Sequence, residues 1–148
     1  MNANPLSVSP SEWEMRVNLA AAYRLVDLYG WSDLLATHLS ARVPESGNQF
    51  LINPFGMLFE EINASSLVRV DEEGSVLSET DYDINPAGFT VHSAVHMANP
   101  EVACVIHTHT QAVLGVAIQK QGLLPLTQQA LAVIAHIGYH DYEGIAFD

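Results

Sequence analysis

The sequence predicts an α/β domain in which a small sheet is covered by helices. Three observations point there. Short period-two segments and helix signals interleave irregularly along the chain. One segment, "VACVIH", is an unbroken apolar run of strand length. The 148 residues, 49% of them apolar, are enough for one real core, so a single domain is expected.

Taken in order, "PSEWEMRVNLAAAYRLVDLYG" is the clearest helix. Ser11 as N-cap and Glu14 three residues on form a capping box, and Gly30 supplies a left-handed stop. In "THLSARV", Leu39, Ala41 and Val43 alternate with His38, Ser40 and Arg42, as in a strand with one buried face. "PESGN" turns the chain and "FLINP" forms a second strand, left through Gly56. "NASSL" reads as a helical turn, and "LVRVDEEGSVL" as two short strands around a Glu-Gly turn. Asn85-Pro86 starts a helix with a side-chain cap and a fixed first φ, and that helix stops before Pro100. "VACVIH" is then a strand covered on both faces, with Cys104 a small buried side chain. "TQAVLGVAIQK" is the next helix and "LAVIAHIGYH" contains another strand. Residues 1–10 are an N-terminal extension and 11–148 the domain.

Composition excludes several functions. The net charge is −12 with five Lys plus Arg, so no face collects the positive charge that binds nucleic acid or an anionic membrane. No segment has the length of a membrane span, and "MNANPLSVSP" lacks the pattern of a signal peptide, so a cytoplasmic protein is expected. A single cysteine cannot form an internal disulfide.

The seven histidines carry the chemistry. His107 and His109 stand at positions i and i+2 where the apolar strand ends. Such residues share a face with Cα atoms ~6.5 Å apart, a span that two imidazoles close on one ion at ~2.1 Å bonds. Two rings capping a strand and bonded to carbonyls are the plainer alternative. His92 and His96, at i and i+4, share a helix face, but no Glu follows His92, so the helical zinc-protease motif is absent. His92 suits a pocket role, while His96 reads as a polar helix residue. His38, His136 and His140 are isolated in sequence.

"THLSAR", "LINPFGMLFEEI", "VRVDEEG", "NPAGFTVHSAVHMANPEVACVIHTHT" and "YHDYEGIA" together resemble, in order, the class II aldolase/adducin family. The resemblance implies a three-layer α/β/α sandwich with a central mixed, largely antiparallel sheet, and a homo-oligomer, often a tetramer. It also implies a divalent metal ion, zinc above all, that polarises a substrate oxygen while a carbon–carbon bond breaks. His107 and His109 fall on two of the family's three histidine ligands. His38, Arg42, Asn53, Gly56, Gly88 and His92 are the expected substrate-binding positions.

Departures from the family shape the expectation. The aldolases carry a Glu, serving as acid/base, where this chain has Gly88, so its acid/base is unknown. Phe55 beside Gly56, and Pro86 with Ala87, stand where the aldolases hold a phosphate. His38 replaces an asparagine. These changes follow the adducin-like branch. They imply a lyase, by aldol cleavage or decarboxylation, for a small non-phosphorylated hydroxy or keto acid, with a non-catalytic oligomerisation or protein-binding domain as the alternative. The family's third metal histidine lies beyond "EGIA", so a missing C-terminal part is expected, with His140 or a carboxylate as the stand-in otherwise.

Overall fold

A computed structural model of the chain describes residues 6–145; the first five positions of the expected N-terminal extension lie outside them. Four strands, β1 (His38–Arg42), β2 (Phe50–Ile52), β3 (Val68–Val70) and β4 (Cys104–His107), form one sheet in the order β3-β2-β1-β4. Every pairing is antiparallel. Helix α1 (Pro10–Leu28) covers one face and α2 (Pro86–Ala98) the other, as expected of a layered α/β fold. Two short helices, α3 (Gln111–Ala117) and α4 (Gln128–Val133), follow β4.

The period-two pattern of β1 sorts its side chains between the layers. Leu39, Ala41 and Val43 join Leu19, Tyr23 and Val26 of α1, Leu51 of β2, and Phe59 in the main core. Beyond the other face, Phe50, Ile52, Val68 and Val70 pack with Ile84 and Phe89. The Tyr23 hydroxyl ties α1 to the sheet by accepting from the N–H groups of Leu39 (2.9 Å) and Asn53 (3.2 Å). Near its first turn, buried Glu12 receives Arg16 at 2.8 Å and Arg69 of β3 at 2.6 Å, so α1 is fastened at both ends.

Four sequence expectations are corrected. The cap of α1 is Ser9, whose hydroxyl accepts from the Glu12 N–H at 3.1 Å, because Pro10 takes the first helical position. After β3 there is only an isolated Val70–Val76 bridge around Gly74, not a second full strand. β4 is not covered on both faces: Ile106 is 58% exposed and Cys104 is exposed, since α2 packs on one face of β4 while α1 sits over β1 on the other. "LAVIAHIGYH" forms the end of α4 and a 3-10 turn, Ile134–His136, rather than a strand, because Thr127 caps a helix by accepting from the Ala130 N–H.

Candidate metal and substrate site

The register of β1 against β4 places His38 directly opposite His107, and Ser40 opposite Val105. Paired residues of neighbouring strands project to the same face, here the face that α2 covers. Along β1, His38 and Ser40 are separated by about 6.7 Å of rise, while one helical turn carries His92 to His96 over about 6.0 Å. The two repeats match, so the four side chains interdigitate.

What results is a continuous hydrogen-bonded chain. His107 Nδ1 lies 3.2 Å from His38 Nε2, and His38 Nδ1 lies 2.8 Å from His92 Nε2. His92 Nδ1 is 2.6 Å from the Ser40 hydroxyl, which is 2.9 Å from His96 Nε2. His96 Nδ1 ends the chain on the Val102 carbonyl at 3.2 Å. His38, Ser40, His92 and His96 are all buried.

His109, just past β4, turns its Nε2 back to within 3.0 Å of His107 Nε2, and its Nδ1 meets Asp33 at 2.9 Å. The two rings therefore converge, and neither is tied to a main-chain oxygen. Burial holds the His107 ring below the usual imidazole pKa, with its neighbour His109 adding to the effect. Burial likewise pushes His38 down to about 4, helped by His107 and His109. It pushes His92 down to about 3, helped by His38, His107 and His96. His96 is lowered by burial too, against the raising effect of its bond to Val102.

His107 Nε2 and His109 Nε2 could supply two of the donors that a divalent cation needs. Each ring spends one nitrogen on a neighbour and turns the other toward the shared gap, the arrangement of an imidazole ligand held by an outer partner. Among the described residues, no third His, Cys, Asp or Glu completes the set. His140 is exposed and bonds the Asp141 carbonyl, and His136 is exposed in the 3-10 turn after α4.

Other expected site residues divide between those brought to the cluster and those that are not. Gly88 presses on it: a Cβ there would stand 2.7 Å from His38 Cδ2, so the His38 ring fills the space a longer side chain would need. Arg42 sits at the far end of β1, donating to the carbonyls of His96 (2.6 Å) and Val102 (3.4 Å). Asn53 lies on the α1 face of the sheet, beside the Tyr23 hydroxyl at 2.9 Å. Gly56 and Phe55 form an exposed turn tied by the Phe55 N–H to the Asp83 carbonyl, shortly before α2. Sequence reasoning missed Asp33 and Ser40, and gave His96 too small a role. The shared face of His92 and His96 and the alternation of "HLS" were the available signals. A cavity of about 500 Å³ lies elsewhere, along Glu12, Arg16 and Arg69, whose charged groups already pair with one another.

The profile of the "Class II Aldolase and Adducin N-terminal domain" matches residues 17–148. The chain belongs to the class II aldolase and adducin family. Over 95% of its length it is 58% identical to a Pseudomonas aeruginosa protein named as a class 2 aldolase, covering 54% of that protein. The solved structure of an aldolase II superfamily protein from Pseudomonas syringae superposes with a TM-score of 0.91 at 52% identity, over 95% of this chain and 57% of that one. The L-fuculose 1-phosphate aldolase of Glaciozyma antarctica superposes with a TM-score of 0.78 at 30% identity, over 90% of this chain and 55% of that one. The chain thus spans about half the length of these class II aldolase relatives.

Proposed function

We propose that this chain is the metal-holding part of a carbon–carbon lyase acting on a small, non-phosphorylated hydroxy or keto acid. The observation that carries the reading is the convergence of His107 Nε2 and His109 Nε2 to 3.0 Å, each ring steadied from behind. These residues would hold a divalent cation, zinc in this reading. A bound cation of this kind polarises a substrate oxygen and stabilises the charge that builds up when a carbon–carbon bond breaks. Family membership and the aldolase neighbour support that chemistry. The assembly is read as a homo-oligomer, a tetramer by family resemblance.

The chain's own residues define the rest of the site. His38, His92 and Ser40 form a buried wall behind His107 that keeps water from its Nδ1 side. At the start of α2, Pro86 has no N–H and the Ala87 N–H is taken by the Asn85 side chain, so a phosphate would find two of the first-turn positions without a free donor. The guanidinium of Arg42 is occupied at the other end of β1. A carboxylate that takes a coordination position directly needs neither. Gly88 favours the second reading, an adducin-like domain that binds partners without catalysis, because no carboxylate stands there to move a proton.

Metal content measured after purification without chelator tests the site. The wild-type chain is expected to retain zinc or take it up on titration, and His107→Ala/His109→Ala to lose it. Full metal retention by the double variant overturns the reading. Turnover of a hydroxy or keto acid that disappears with the histidine pair separates the lyase from the non-catalytic alternative.

A further inference from the structure

We propose that His96, Ser40, His92 and His38 act as a relay of fixed hydrogen-bond direction that sets the tautomer of His107 and leaves its Nε2 free to bind a cation. The metal half of this statement rests on the proposed function; the tautomer half does not.

The argument starts at the far end. The Val102 carbonyl can only accept, so the nitrogen facing it at 3.2 Å, His96 Nδ1, carries the proton. In a neutral ring Nε2 is then an acceptor, and the Ser40 hydroxyl donates to it. With its one proton spent, the Ser40 oxygen accepts from His92 Nδ1. That leaves His92 Nε2 to accept from His38 Nδ1, and His38 Nε2 to accept from His107 Nδ1. His107 Nε2 is left bare. Reversing any link sets two acceptors or two donors face to face in a buried site where, among the described residues, no buried side-chain polar atom lacks a partner.

His109 reaches the same state by a shorter route. The Asp33 carboxylate accepts from its Nδ1, so in the neutral ring Nε2 is the acceptor. The 3.0 Å gap between His109 Nε2 and His107 Nε2 then takes one shared electrophile, a proton or a cation. Asp33 orients one ligand directly, whereas the other is oriented through four side chains, two on β1 and two on α2. Ser40 is the critical link, because there a single oxygen both donates to His96 and accepts from His92. His38, His92, Ser40 and His96 are therefore positioning residues.

Long-range proton–nitrogen NMR on the metal-free chain reads each tautomer directly. The expected result is Nδ1–H for His38, His92, His96 and His107. Ser40→Ala should move His92, His38 and His107 toward Nε2–H and weaken cobalt or zinc binding about 10- to 100-fold, the usual scale for losing an outer partner of a ligand. In a His38→Gln background the amide oxygen accepts from His107 Nδ1 whatever lies behind it, so adding Ser40→Ala should leave affinity unchanged. An Nε2–H proton on His107 in the wild type overturns the proposal, as does unchanged tautomer and affinity in folded Ser40→Ala. If Ser40→Ala does not fold, the wild-type spectrum decides. Wild-type protein that shows the expected tautomers but binds no metal refutes the lyase reading and the metal half of the proposal, while the relay itself stands.

Discussion

A single missing side chain shapes the site, since Gly88 and His38 compete for one volume. A Cβ at position 88 would approach the His38 ring to 2.7–3.1 Å, and that ring is held on both nitrogens. Gly88→Ala is therefore expected to cost about 1–3 kcal/mol of stability, the scale of overpacking. In a His38→Asn background most of that cost should vanish; equal costs in both backgrounds, read from urea unfolding, would show that the two positions are not coupled. The histidines also set the acid response. His38 and His92 have folded pKa values near 4 and 3, below the unfolded value of about 6.5, so between these limits the unfolded chain binds protons that the folded chain refuses. The stability of the neutral cluster is thus complete above pH about 6.5 and is lost as pH falls, by up to about 1.4 kcal/mol per pH unit for each such ring. Urea midpoints should hold from pH 8 to about pH 7 and fall from there to pH 5, and a flat profile across that lower range would contradict neutral burial. The metal pair was legible in "VIHTHT" because period-two spacing maps directly to geometry. Asp33 was not, because it reaches His109 across 76 positions of chain with no local pattern to mark it.

Elements were legible where the local signal and the tertiary demand agreed. Asn85-Pro86 caps α2, and Thr110 caps α3, as their types predict. "LAVIAHIG" misled because its Val and Ile suit either state, and the deciding residue, Thr127, lies just upstream. The pairing of elements leaves no sequence trace at all. Tyr23 is one helical residue among many in α1, yet its hydroxyl serves the main chain of Leu39 in β1, next to His38, and of Asn53 just past β2. Tyr23→Phe leaves the Leu39 and Asn53 N–H groups buried without that acceptor. The expected loss is about 1–3 kcal/mol. Because this bond fixes the β1–β2 end next to the cluster, metal affinity should fall with stability in Tyr23→Phe, whereas a surface change such as Leu28→Ala should alter neither; calorimetry and metal titration on the same samples check both.

At the scale of the molecule, burial is uneven along the chain, and the unevenness bears on assembly. Strands β1 to β3 and the inward side of α1 hide their apolar side chains, whereas Ile106, Ile118, Leu126, Leu131, Tyr142 and Ile145 stand between 58% and 90% exposed among the described residues. Composition alone could not reveal this, because apolar content says how much can be buried and not which part is. Where such side chains adjoin in one patch, another surface ordinarily covers it, and electrostatic repulsion from a net charge of −12 opposes association only at low salt. The 148-residue chain is therefore expected to sediment above its monomer mass at micromolar concentration, more so as salt is raised. Ile118→Glu/Leu126→Glu, both exposed and in neither core cluster, should shift it toward the monomer without changing the histidine tautomers. A wild-type chain that stays monomeric at high salt and binds no apolar dye would show that these side chains cover one another in solution, and would remove the physical motive for a homo-oligomer.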